Sequence, residues 1–366
     1  MTSTGLRSRT LLAAVWAAVL SFLFSVPAAA AGGTWSSTGA MTQPRLDHIA
    51  IRLVDGRVLV VGGAGAGTSA EVYDPASGTW AGTGSLNLAR SQFTATLLAD
   101  GRVLVAGGYP NTSTAELYNP ATRTWTLTGS LRVPRRMHTA ALLHDGRVLI
   151  AGGVDDSFVD LKSAEIYDPK SGTWATTGSM SLARIEHAMV TLQDGTVLVA
   201  GGVYDVTESE VFNPATGHWR TVGSMTNGRD NFNLTVLNDG RVLAAGAGGT
   251  ADLYNPSTRT WSATGSPVHP LIFSAMALEQ DGTVLVAGGD DYVAADTEIY
   301  DPSSQAWRLT GSLLQGRDSN TATLLQDGRV LVAGGKITGP PCDNEGGGCT
   351  TTVFASAELF TPTAGS

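Results

Sequence analysis

The sequence predicts an all-β fold. It is a seven-bladed β-propeller of four-stranded antiparallel blades, its ring closed by an N-terminal strand around Trp35 that completes the last blade. Three observations carry this. Asp-Gly, followed by Arg or Thr and then Val-Leu, begins at Asp55, Asp100, Asp145, Asp194, Asp239, Asp281 and Asp327. A Trp stands 20 residues ahead of each: Trp35, Trp80, Trp125, Trp174, Trp219, Trp261 and Trp307. An acid two residues before an aromatic recurs in the same series, at Glu71, Glu116, Glu165, Glu210, Asp252, Glu298 and Glu358. A unit repeated every 42 to 49 residues that cannot bury its own apolar faces must stack on its neighbours.

The chain opens with Arg7 and Arg9, an apolar run from Leu11 to Val26, and Ala28 to Ala31. A basic start, a short apolar stretch and small residues are the parts of a secretory signal peptide. The run is shorter than the roughly 20 apolar residues of a membrane span. Cleavage is expected near Ala31, dividing the chain into a signal segment (1–31) and one propeller (32–366). The mature protein is expected to be secreted, extracellular or periplasmic, with no membrane insertion.

Each repeat reads as four strands, shown by the third. Residues 138–143 form strand a, and Asp145-Gly146 a tight turn. Strand b, 147–151, is rich in β-branched residues and ends at Gly152-Gly153; strand c spans 164–167. Asp168-Pro169-Lys170-Ser171-Gly172 turns the chain into strand d, 173–177, which carries Trp174. The recurring Trp and Tyr are expected to wedge between blades, and the Gly pairs to let adjacent backbones approach closely. The seventh copy reaches Phe360 without a following Trp, while Trp35 precedes the first strand a. Pairing the two protects edges that would otherwise be open.

Composition excludes several classes. Charged residues are 15% and hydrophobic ones 42%, which rules out a disordered chain. The 45 Gly have no three-residue period, which rules out collagen. A net charge of −9 argues against a nucleic-acid partner. Two cysteines, Cys342 and Cys349, make no disulfide framework. In an exported protein they read as one disulfide closing an eight-residue ring, worth roughly 2.5 kcal/mol.

A Gly pair ending one strand, a Tyr on the next and a Trp on the last, as in Gly152-Gly153, Tyr167 and Trp174, resembles the Kelch-repeat family. The resemblance spans residues 34–362. It implies that strand a is innermost, bordering the central channel, and that the b–c loops share a face with the starts of strand a. The b–c loops absorb all the length variation between copies, and variable loops on a rigid frame carry binding.

Two sets of candidate residues follow. The starts of strand a carry Arg45, Arg90, Arg135, Arg184, Arg229 and Arg317, with His48, His138 and His187 three residues on from three of them. Either these border the channel mouth and bind an anionic or hydroxyl-rich ligand, or each Arg pairs with a recurring acid. The recurring acids are expected to bond backbone at the Gly pairs, and the Arg of Asp-Gly-Arg to be solvated or strand-pairing. The b–c loops add Tyr109, Asp155, Asp156, Phe158, Tyr204, Asp290, Asp291 and Tyr292, an acidic face studded with aromatics. Such a face suits a carbohydrate or peptide. Calcium ligation at Asp290, Asp291 and Asp296 matches no defined calcium loop, so these read as solvated acids.

The resemblance extends to the propeller domain of galactose oxidase, a secreted copper enzyme with Tyr and His ligands and a Tyr–Cys cross-link. No catalytic residue carries over, because the Cys pair is confined to one loop and most Tyr sit at the repeated strand-c position. No nucleophile elbow, phosphate loop or zinc motif occurs. The expectation is a non-catalytic binding module, a monomer with no cofactor or metal, for an unknown protein or carbohydrate ligand. The alternative is a carbohydrate-active or copper oxidase.

Overall fold

The computed structural model describes residues 32–203, 205–246, 249–289, 295–338 and 350–363. Within these are seven four-stranded antiparallel sheets arranged in a ring, with no helix among the described residues. Residues 1–31, where a signal segment is expected, and Tyr204, Asp290, Asp291, Tyr292, Cys342 and Cys349 lie outside them.

The third repeat folds as Thr139–Leu142, Val148–Ala151, Ala164–Asp168 and Thr173–Thr176, paired in that order. Strand b is fully buried in every blade, as a run such as Val-Leu-Ile-Ala requires when both of its faces meet neighbouring strands and blades. The seven a strands touch their neighbours in turn, and the first, Ile49–Arg52, also meets the last, Thr321–Leu324. They are the inner wall of the ring. In the seventh sheet Thr321–Leu324, Val330–Ala333, Ala357–Pro362 and Gly33–Ser37 lie side by side, with Trp35 opposite Phe360. Among the described residues one element has no counterpart in the repeat. Lys336–Thr338 and Thr351–Val353 form a two-stranded ribbon in the longest b–c loop.

The aromatics join blades. Tyr167 and Trp174 are cross-strand partners with ring centroids 5.0 Å apart. Trp174 Nε1 then donates to Gly129 O at 2.8 Å, and the Tyr167 hydroxyl lies 2.7 Å from Thr128 Oγ1, both on the chain arriving from the second blade. Trp35, Trp80, Trp125, Trp219 and Trp307 repeat the indole bond to a Gly carbonyl. Trp261 instead donates to Ser209 Oγ.

The Asp-Gly turns are closed by their own side chains. Arg147 donates from its backbone N to Asp145 Oδ1 and from Nε to Asp145 Oδ2, at 3.0 and 2.8 Å. The same clamp joins Arg57, Arg102, Arg241 and Arg329 to Asp55, Asp100, Asp239 and Asp327. Where Thr replaces Arg, the hydroxyl of Thr196 or Thr283 takes over. The Arg of Asp-Gly-Arg is therefore partly solvated, as expected, and is also half of a turn lock.

Candidate binding face

The six ring arginines are not at the surface. Arg45, Arg90, Arg135, Arg184, Arg229 and Arg317 are at most 2% exposed. Arg135 shows why. Nη2 meets Glu165 Oε1 at 3.0 Å, while Nη1 donates to Gly152 O at 2.8 Å and Ser163 O at 3.0 Å. Each of the others pairs likewise with the acid of its own blade: Glu71, Glu116, Glu210, Asp252 and Glu358. Burial lowers the Arg135 pKa from its usual value, and Glu165 opposes that shift. A guanidinium enclosed this way holds the fold together and is out of a ligand's reach.

The acids do not bond the Gly pairs; the arginines do. Glu165 instead accepts from Arg132 N at 2.8 Å and Val133 N at 3.2 Å, fixing the loop that enters strand a. The Gly pair works between blades. Gly153 N donates to Arg184 O of the fourth blade at 2.8 Å, and a Cβ on Gly152 would sit 2.5 Å from that same carbonyl, so only glycine fits.

His48, His138 and His187 are buried too. Each Nε2 meets a threonine hydroxyl on a neighbouring blade, Thr321, Thr94 and Thr139 respectively, at 3.2, 3.1 and 2.7 Å. Burial, then the nearby ring Arg, depresses the His48 and His187 pKa to about 3, and that of His138 well below its usual value. They are neutral packing groups.

What reaches solvent is the residue before each of these positions. Asp47, Gln92, Met137, Glu186, Asn231, Phe273 and Ser319 all have positive φ, between 45° and 56°. None is glycine, and each such residue carries strain. Together they rim one cavity of about 530 Å³ at the channel mouth, with His48, His138, His187 and Lys336 behind them. Neighbours are linked around the rim: Asn231 Nδ2 donates to Glu186 Oε2 at 2.9 Å, and Met137 N to Gln92 O at 3.0 Å. Phe273 is 46% exposed. The sequence carried a signal for this ring: it is the position two residues after the repeated Arg (or Leu271), and no two copies agree there.

The described b–c loop residues join the same face. Tyr109 and Phe158 are 56% and 76% exposed. Asp155 Oδ1 accepts from Ser157 N and Val159 N, so its carboxylate shapes its own loop, while Asp156 is exposed. The opposite face has clefts of similar size, about 580 and 540 Å³, lined by the Asp-Gly and Pro turns. Their linings repeat from blade to blade, so they are the by-product of the scaffold's symmetry.

Among the described residues no three His, Cys, Asp or Glu come together as a metal-holding group, and the three buried imidazoles are each turned onto a threonine.

The Kelch motif matches residues 135–181, the span of the third repeat. No curated protein matches the chain. Among solved structures, a fungal alcohol oxidase of the AA5 family, determined in complex with copper, aligns with a TM-score of 0.72 at 18% identity, over 90% of this chain and 76% of the oxidase. That likeness is one of fold. With the Kelch motif in its third repeat and seven such repeats set in one ring, the chain has the architecture of a seven-bladed Kelch-type β-propeller.

Proposed function

We propose that the protein is a secreted, non-catalytic binding module whose ligand, a carbohydrate or a protein segment, sits on the channel-mouth face. One observation carries this reading. Seven residues share the same strained backbone conformation around one cavity, and their side chains are all different. Strain kept in every copy under side chains that vary is what a rigid frame presenting a specific surface requires. The clamps beneath them repeat because they serve folding.

Glycan and peptide arrays probed with the purified protein identify the ligand. A Glu186→Ala/Asn231→Ala/Phe273→Ala variant should then bind at least about tenfold more weakly, the loss of a few interfacial contacts. Val54→Ser, on the opposite face, should leave binding unchanged. Equal binding by wild type and the triple variant moves the site elsewhere. The fold likeness to a copper oxidase supports a second reading, and metal analysis decides it: stoichiometric copper in the purified protein overturns the non-catalytic assignment.

A further inference from the structure

Beside the buried Arg135 stands an arginine of the opposite kind. Arg136 is half-buried, and its guanidinium carbon lies 5.4 Å from the ring centroids of both Tyr109 and Phe158. The two rings come from the b–c loops of the second and third blades. We propose that this pincer is a carboxylate subsite, taking the acid group of a uronate sugar in a glycan bound at the channel mouth; the proposal rests on that mouth being the binding face.

The pincer is built. Asp155 holds Phe158 in a left-handed conformation, φ 59°, by accepting from the backbone on either side of it, Ser157 N at 2.8 Å and Val159 N at 3.0 Å. Asn111 Nδ2 donates to Asp155 O at 2.8 Å and so ties the Tyr109 loop to the Phe158 loop. Two rings fix the plane of a guanidinium and strip water from it, which strengthens what its edge can bind.

Arg136 has donors to offer. A guanidinium carries five N–H groups. Arg135 spends its on Glu165, Gly152 and Ser163. Arg136 makes one long side-chain bond, Nη1 to Gln92 Oε1 at 3.4 Å, and its Nε is buried without a partner. Nε faces inward, so the Nη1/Nη2 end of the planar fork is the part that matches a carboxylate in two parallel bonds.

The surroundings favour a sugar acid over an acidic peptide. Gln92, Glu186 and Asn231 on the adjoining rim are planar hydrogen-bonding groups suited to pairs of hydroxyls, and the exposed aromatic rings of Tyr109 and Phe158 suit the C–H face of a pyranose. Asp155, Asp156 and Glu186, in a chain of net charge −9, repel a dense run of carboxylates. One carboxylate beside several hydroxyls avoids that repulsion.

The test titrates the full protein with oligosaccharides that carry a single uronate (galacturonate, glucuronate or mannuronate) among neutral sugars, their methyl esters, and an oligoglutamate peptide. A uronate oligosaccharide should bind at least about tenfold more tightly than its ester, the difference a charged hydrogen-bonded pair makes. Arg136→Gln should abolish that preference, and Phe158→Ala should weaken uronate binding severalfold while keeping it. Thermal melts establish that both variants fold. The proposal fails if no uronate binds, if ester and acid bind alike, if Arg136→Gln keeps the preference, or if the peptide shows the Arg136 dependence instead. In each of those cases mouth binding that still responds to the Glu186/Asn231/Phe273 triple variant leaves the binding-module reading standing; loss of that response as well brings it down.

Discussion

The third and sixth blades share four strands and handle the same buried acid in opposite ways. In the third, Glu165 accepts two backbone N–H groups from the incoming loop and also meets Arg135 at 3.0 Å. In the sixth, Glu298 accepts the two N–H groups, from Val268 and His269 at 2.8 Å each, but Leu271 stands where the arginine would be. His269 Nδ1 lies 3.7 Å from Glu298 Oε1 and 3.0 Å from Asp296 Oδ2. The two tasks are thereby separated. Holding the loop belongs to the acid and is kept in both blades. Tying that acid to the Gly-pair carbonyl belongs to the arginine, and the sixth blade does without it.

The largest expected effect follows from this contrast. Glu165→Gln removes the charge facing Arg135, which stays buried with no counter-ion, and breaking a buried pair from one side costs about 3–5 kcal/mol. Glu298→Gln strands no buried guanidinium. Its partner His269 is 30% exposed on its side chain and keeps Asp296, so the cost should be about 1 kcal/mol. Urea midpoints of the two variants measure the difference. Equal losses would mean that the arginines add nothing to what the backbone bonds already supply.

The repeat made most of the fold legible before any coordinates. Trp174, Tyr167 and the Gly152-Gly153 pair mark the strands to within a residue, because the aromatics pair across strands c and d and the glycines sit where a Cβ would meet a backbone carbonyl. Arg135 was harder. Its spacing marks the start of strand a, but the same spacing serves a ligand-facing cation and an internal clamp, and only the distance to Glu165 separates them. Met137 and its six equivalents were legible only as variation, since a left-handed φ at a non-glycine residue leaves no compositional trace. Arg136 could not be read from the sequence at all. Its pincer depends on two loops from different blades meeting over it, a contact that no spacing encodes.

A second contrast between these blades lies on the turn face. At the residue before the a–b turn the third blade has Leu143, 2% exposed, as do the others with Leu53, Leu98, Leu192, Leu237 and Leu325; the sixth has Glu279, 4% exposed. Burial pushes the Glu279 pKa up to about 7. Its folded value thus exceeds its unfolded one, so the native state loses stability as pH climbs from about 4.5 to 7. Glu279→Leu should stabilise the protein by about 3 kcal/mol at pH 8 and by little at pH 4.5. A gain that does not vary with pH would show that packing, not ionisation, sets the cost.

The buried histidine of the third blade, where the sixth has Ser274, acts with the opposite sign. Desolvation, then Arg135 and His187, hold the His138 pKa well below its usual value. Below pH 6.5 the unfolded chain takes up a proton that the native state refuses, so stability falls by up to about 1.4 kcal/mol per pH unit for this one group. Phe93 and Phe232 occupy the same position in the second and fifth blades, so the site accommodates an aromatic ring without a proton to lose. His138→Phe gives up the bond to Thr94, about 1 kcal/mol at neutral pH. That deficit should close near pH 5.5 and reverse at pH 4.5, where the variant should be the more stable of the two. Urea unfolding at pH 7.5, 5.5 and 4.5 follows the crossing; curves that stay parallel would mean that His138 takes its proton inside the folded ring.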